Sequence, residues 1–430
     1  MNKKIFVGPI EIAGYSKNLA LGFSELGYSC DHISFEHHKY EYSSNENLPK
    51  LIKLSRIFKK HNKIFFLNYI CILISEIFIT LWAILAMFKY DVFIFVYGKS
   101  LLRFNLDLPI LNLFGKTVIS NLSFGSEARP PYVDGFTNLI KNSGELNYQK
   151  ISRSSRKKSR MIKFHFRYCN YVIGGISSTS QFATEPFINS FMVGFPLSFK
   201  KNVDLFDLNK RSSNIISILH APSHFKGKGT TKILNAIDRL KTKGYSIELK
   251  LIQNMPNHEV INAIKNCDFI VDQAYSDTPM AGLVSEAALY EKPSIVGGYG
   301  LKYLKNYVSP EFWPPVKECL PDDLEQAIEE LILDRDQRLK LGFLARKYVI
   351  EKRSNIIIAR CFLKIINNDI SKDWWFDPKD INFTFGAGQT LDQTKFIVST
   401  LISKYGDKSL NLDHNHSLKE SFLELIKNDD

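Results

Sequence analysis

Two short segments of the chain gather the residue types that hold anionic groups. The first is His220-Ala221-Pro222-Ser223-His224-Phe225-Lys226-Gly227-Lys228-Gly229-Thr230. Its glycines let backbone come close to a ligand, and Lys226 and Lys228 add full positive charge. A strand-like run, Asn214 to His220, precedes it, and a helix-like run, Thr231 to Lys241, follows. A loop so placed ends on a helix N-terminus, where free N–H groups and a partial positive charge suit a pyrophosphate. The Gly-Lys-Ser/Thr order of a Walker A loop is absent. A basic surface turn has the same composition, so that reading stays open.

The second segment runs from Asp272 through Asp277 and Gly282 to Glu286 and Ala287. A strand end feeds a loop and then a helix with a carboxylate one turn in. Glu286 can accept hydrogen bonds from two vicinal hydroxyls, as a ribose presents. It can equally be an N-terminal-turn glutamate favoured by the helix dipole.

The elements that must position these segments are two α/β series. With 430 residues, 45% of them hydrophobic, the chain has material for two or three domains and is not disordered. In the first half, strands are expected at Lys4–Val7, Cys30–Phe35, Tyr90–Val96, Lys116–Asn121 and Tyr171–Gly174, with a helix from about Ser16 to Leu26. In the second half, strands at Asn214–His220, Tyr245–Ile252, Phe269–Asp272 and Ser294–Val296 alternate with helices. Such alternation predicts doubly wound parallel sheets, with a ligand cleft at the carboxyl ends of the strands. The domains read as 1–196, a linker at 197–213, 214–365, and a C-terminal helical tail at 366–430 containing Trp374-Trp375 and a Gly386-Ala387-Gly388 turn.

Lys and Arg number 56 against 44 Asp and Glu, a net charge of +12, which draws anionic partners. The basic run Arg153 to Lys163 lacks interleaved aromatics, so nucleic acid is not an expected partner. The 6 cysteines form no CxxC pair and read as reduced residues; no metal site is expected. No cleavable leader is expected, because Ile5-Phe6-Val7 is a short apolar run ended by Gly8-Pro9. Residues 64–88 are almost wholly apolar, with Glu76 the only charge. They could span a bilayer, pack inside the protein, or dip into a membrane face. The preceding Lys53, Arg56, Lys59 and Lys60 tilt the choice toward an anionic membrane surface.

In combination, these motifs resemble those of glycosyltransferases with the two-domain GT-B fold, of family four and its bacterial surface-polysaccharide relatives. The matching pieces are the His-x-Pro-Ser…Lys-Gly-Thr loop, Val271-Asp272-Gln273, Gly282…Glu286-Ala287 and Lys292-Pro293-Ser294-Ile295-Val296. In the first half they are Gly8-Pro9…Gly14-Tyr15-Ser16, Tyr90-Asp91-Val92-Phe93 and Gly125-Ser126-Glu127-Ala128-Arg129-Pro130. The position of the family's other glutamate falls on Thr278, with Asp277 one place off. The resemblance implies two Rossmann-like domains facing across a cleft. It also implies transfer of a sugar from a nucleotide-sugar substrate to a glycan or lipid-linked acceptor, without metal or cofactor, in the cytoplasm at the inner face of the cell membrane.

On that resemblance, Lys226, Lys228 and two helix N-termini would stabilise charge growing on the leaving phosphate. Gly14 and Gly282 would let backbone approach the diphosphate, and Glu286 would fix the ribose. Glu127 and Arg129 would line the acceptor side or form a surface salt bridge, and His220 would touch donor sugar or phosphate or be a satisfied strand-end histidine. Glu11 is a conceivable acid/base group. The alternative is a non-catalytic GT-B protein acting as partner or scaffold in a membrane glycan-assembly complex.

Overall fold

The computed structural model describes residues 3–36, 48–59, 65–137, 146–199 and 215–427. Most of the expected linker, together with Lys60, Lys63, Ile64 and Asn214, lies outside these residues.

The first lobe opens with β1 (Ile5–Gly8), α1 (Tyr15–Glu25) and β2 (Cys30–His32). Next come α2 (Lys50–Phe58), the long α3 (Phe65–Lys89), β3 (Val92–Val96), α4 (Asp107–Leu113) and β4 (Thr117–Leu122). Then follow α5 (Tyr148–Tyr168), β5 (Tyr171–Gly174), β6 (Phe187–Asn189) and α6 (Ser190–Val193). The second lobe comprises β7 (Ile216–His220), α7 (Thr230–Thr242), β8 (Ile247–Leu251), α8 (Asn257–Lys265), β9 (Phe269–Gln273) and α9 (Gly282–Leu289). It continues through β10 (Ser294–Gly297), α10 (Leu301–Leu304), β11 (Lys317–Cys319), α11 (Leu324–Leu333) and α12 (Arg335–Lys352). The chain ends with α13 (Asn355–Ile366), β12 (Trp375–Phe376), α14 (Leu391–Tyr405) and α15 (His416–Lys427).

The first sheet has the order β12-β6-β5-β4-β3-β1-β2 and the second β11-β10-β9-β7-β8. All pairings are parallel except β12 on β6, where Trp375 faces Ile188. Strand β3, Val-Phe-Ile-Phe-Val, is buried along its whole length because helices cover both faces of its sheet. Its Phe93 and Phe95 point into one core with Phe6 and Trp82, and Val92, Ile94 and Val96 into the other with Tyr15 and Phe23.

The structure draws the domain boundaries differently at the C-terminus. Helix α13, expected within the second domain, packs on α1, with Phe362 edge-on to Phe23 at 6.4 Å. The tail is not a separate appendage. Strand β12 extends the first sheet, Phe422 stacks edge-on against Tyr132 at 5.5 Å, and Leu401 and Leu418 enter the first-lobe core. The expected strand starting at Tyr90 begins at Val92, since Tyr90 still bonds back to Ala86 of α3. Cys30–Phe35 pairs as strand only to His32.

Candidate functional site

The lobes meet through loops that leave the carboxyl ends of parallel strands, after β1, β4 and β5 on one side and after β7 and β9 on the other. This is the face on which open α/β sheets bind ligands. Two doubly wound lobes opposed in this way form the GT-B arrangement.

The glycine-lysine loop follows β7 and closes on α7. Gly229 caps α7 at φ 70°, and a Cβ there would stand 2.7 Å from that of Ala274, so both backbone angle and space call for glycine. Among the described residues no side chain caps α7 or α9, and neither helix has an acid in its first turn. Lys228 Nζ donates to Asp272 Oδ1 at 3.2 Å, which aims the ammonium along the end of β9, while Lys226 is exposed. Strands β7 and β9 are neighbours, so this loop and the N-terminus of α9 emerge side by side. Gly282 begins α9 opposite the first lobe: a Cβ there would lie 3.6 Å from Ala13 Cβ, next to Gly14. Glu286 is half-buried and accepts from Asn257 Nδ2 at 2.9 Å, a neighbour supplied by α8.

His220 is placed as a strand-end histidine. Its ring is fully buried, with Nδ1 2.7 Å from Val271 O and Nε2 2.8 Å from Thr230 Oγ1. Burial pushes its pKa down to about 4, so it is neutral at pH 7. With both nitrogens engaged, it holds β7 to β9 and to the first residue of α7. Of its two expected roles, contact with donor sugar or phosphate and strand-end bracing, the geometry is that of the brace.

Glu127 and Arg129 are both buried. Glu127 Oε1 accepts Phe124 N–H at 2.7 Å, Oε2 has no hydrogen-bond partner among the described residues, and burial raises its pKa. Arg129 does not present a free guanidinium to an acceptor. Its Nη2 donates to Asp277 Oδ1 and Oδ2, both at 2.8 Å, its Nη1 lies 3.2 Å from Asp134 Oδ1, and its Nε donates to Ser178 Oγ at 2.8 Å. Ser178 Oγ also donates to Asp277 at 2.5 Å. Burial alone would raise the Asp277 pKa and lower that of Arg129, but their mutual attraction reverses both directions. A first-lobe arginine and serine therefore clasp a second-lobe aspartate across the cleft.

Phe136 reinforces this clasp. Its ring lies 5.7 Å from that of His224 and 5.9 Å from the Arg129 guanidinium carbon, and it covers Gly227. The tail also reaches the junction: Gly135 N–H donates to Ala387 O and Gly388 N–H to Tyr275 O, both at 2.8 Å. A Cβ on Gly135 would come within 1.9 Å of Gly388 O, so this meeting of backbones requires glycine.

Glu11 fills the N-terminus of α1. Its oxygens accept Ser16 N–H at 3.3 Å and Lys17 N–H at 3.0 Å, and His32 Nε2 lies 3.3 Å away without hydrogen-bond geometry. Burial pushes Glu11 up to about 7, against the lowering pull of those amides.

Sequence reasoning missed Asp277, Ser178 and Phe136 as cross-lobe residues. Asp277 carried a signal through its near-match to the family glutamate position; Phe136 carried none.

No described protein family matches the sequence, and no curated protein matches it. Solved structures do. TarM of S. aureus is 12% identical over 68% of this chain, with a TM-score of 0.41; the chain spans 59% of TarM. The spinosyn forosaminyltransferase SpnP is 11% identical, with a TM-score of 0.42, over 85% of this chain and 100% of its own. HepE of Anabaena, in complex with UDP and glucose, is 10% identical, with a TM-score of 0.45, over the same shares.

Proposed function

We propose that the protein is a glycosyltransferase that moves a sugar from a nucleotide-sugar donor to a glycan or lipid-linked acceptor in bacterial surface-glycan synthesis. The observation that carries this reading is the pair of uncapped helix N-termini, α7 and α9, which emerge beside Lys228 at the carboxyl ends of adjacent strands. Bond cleavage in a nucleotide-sugar leaves negative charge on the terminal phosphate. Pre-oriented amides and an ammonium stabilise that charge without reorganising at the moment of reaction. Lys228, held by Asp272, would turn to the phosphate, and Glu286 would accept from the ribose hydroxyls. Arg129 and Glu127 set the first-lobe wall of the cleft and act by positioning. The chemistry assigned to these residues needs no metal.

The test is a thermal-shift screen of the whole protein against nucleoside diphosphates and their sugar conjugates. A ligand that binds only the folded state raises Tm by mass action. One nucleotide class is expected to raise Tm and its sugar conjugate to be consumed when acceptor is added. No shift with any nucleotide would overturn the reading.

The second reading, a non-catalytic partner or scaffold, is favoured by one observation. Asp277, beside the position where the family carries a glutamate, is committed to Arg129 and Ser178. Nucleotide binding with no turnover of any conjugate would select it.

A further inference from the structure

We infer that the outer face of α3, with the neighbouring ends of α2 and α4, docks in the plane of an anionic bilayer surface. A surface helix of a globular protein normally carries polar residues outward. On α3 the outward positions Ile70, Leu73, Ile77, Leu81, Ile84 and Phe88 recur every three or four residues, and all are exposed. Phe88 is 77% exposed, and its ring lies 6.4 Å from that of Phe114 on the residue after α4, where Leu113 is 83% exposed. Leu54 and Ile57 of α2 extend the patch.

The opposite side of α3 decides between lying on a membrane and crossing it. Ile79, Trp82, Ala83 and Ala86 are buried in the first-lobe core, with the Trp82 ring 5.6 Å from Phe6 and 5.5 Å from Phe35. The helix from Leu67 to Lys89 is long and apolar enough to span. Spanning would strip those side chains from the sheet and uncover Phe6 and Phe35, on which Trp82 packs. An in-plane helix keeps them and still takes its outer face out of water.

Charge complementarity selects an anionic bilayer over another apolar partner. Helix α5, which packs beside α4, contains no Asp or Glu, and Arg153, Arg156, Lys157, Arg160 and Lys163 are exposed on it. Lys50 and Lys53 are exposed on α2. Among the described residues the acidic groups near the face are Glu76, which is half-buried, Asp31, paired with Lys89, Glu36, paired with Lys59, and Asp91, which accepts Lys4 N–H. Each basic side chain near an anionic lipid surface adds to the attraction. A groove of about 550 Å³ opens between Ile84, Met87 and Phe88 of α3 and Ile110 and Phe114 beside it. It offers a seat for the end of one hydrocarbon chain.

The test is flotation of the full chain with vesicles of phosphatidylcholine alone or mixed with phosphatidylglycerol. Binding to the mixed vesicles is expected, weakened by salt. The double variant Leu81→Asp/Phe88→Asp should bind at least tenfold more weakly with unchanged Tm; should it fail to fold, Leu81→Gln/Phe88→Gln gives the same readout. Arg156→Ala/Lys157→Ala/Arg160→Ala should lose the preference for phosphatidylglycerol. Wild-type protein that stays with the aqueous fraction for both vesicles overturns the inference. So does a dimer in light scattering that the apolar variant dissociates, or cell membranes that retain the protein through alkaline extraction, as a true span would. The measurement needs neither donor nor turnover, so its failure is separate from failure of the glycosyl-transfer reading.

Discussion

Helix α1 in the first lobe and helices α7 and α9 in the second all begin where a parallel strand ends at the cleft, yet they are finished differently. The N-terminus of α1 is already filled by Glu11, which takes Ser16 and Lys17 N–H groups. Those of α7 and α9 have no capping side chain, and Lys228 stands beside them. A helix N-terminus stabilises one anion in its first turn. The first lobe fills that position with its own carboxyl group, and in the second no side chain of the described residues fills it. Equivalent topology thus gives one helix start closed by its own carboxyl group and two without a capping side chain, where the proposed phosphate would lie.

The largest expected effect comes from breaking the junction between the lobes. Arg129→Met would leave Asp277 and Asp134 buried without their cation. Removing one partner of a buried pair costs about 3–5 kcal/mol. Chemical denaturation should show a loss of that size, and Asp277→Asn added to it should restore part. Loss below about 1 kcal/mol would mean that the clasp is dispensable and the lobes are held elsewhere.

The self-filled helix gives the next effect, through pH. Glu11 has its pKa raised from 4.5 to about 7. Below 4.5 both folded and unfolded states hold the proton, and the group costs nothing. As pH rises from 4.5 to about 7, the unfolded chain ionises first and stability falls. Above about 7 the full cost is present, on the order of 3 kcal/mol at about 1.4 kcal/mol per pH unit. Buried His32, His165 and His220, each held near 4, act in the opposite sense, losing stability as pH falls below their ordinary 6.5. The readout is therefore the difference between Glu11→Gln and parent, which should grow in favour of the variant between pH 5 and 8. A difference independent of pH would show that Glu11 is ionised throughout, a fixed anion rather than a titrating one.

On the open side, Lys228→Met should weaken nucleoside-diphosphate binding about tenfold or more by calorimetry, with Tm little changed. Removing a charge-assisted contact of this kind costs about 1.5–3 kcal/mol. Unchanged affinity would move the phosphate away from α7 and dissolve the contrast between the lobes.

Much of the fold was legible because its strands are long apolar runs set between helices: Val92–Val96 and Phe269–Gln273 were read to within two residues. Strands β6, β11 and β12 were not, because they hold only two or three residues and exist through pairing. The loop from His220 to Thr230 was found through its glycines and lysines. The same reading left His220 open between a ligand contact and a strand-end brace, because nothing in the spacing reveals that Val271 O waits for its Nδ1. Arg129 and Asp277 are 148 positions apart, and only the closure of two lobes brings them together. For α3, composition left three readings open, and it could not show which side chains, Trp82 and Ala83, turn inward and which, Leu81 and Phe88, stay outward once a sheet stands on one side.

The smallest effect concerns Glu286, and it separates phosphate recognition from nucleoside recognition. If the second lobe holds a nucleotide as its open helices suggest, the phosphates lie at the ends of α7 and α9, and the ribose reaches the carboxylate one turn into α9. Glu286→Gln keeps the shape and the acceptor oxygen but loses the charge, so affinity should fall about tenfold, near 1.4 kcal/mol, for a nucleoside diphosphate. Inorganic pyrophosphate, lacking a ribose, should bind the variant and parent alike. A loss for both ligands would mean that Glu286 acts by steadying Asn257 and the start of α8, through the 2.9 Å bond it already accepts. A loss for neither would leave the helix termini and Lys228 as the whole of the recognition, and would place the ribose elsewhere along the cleft.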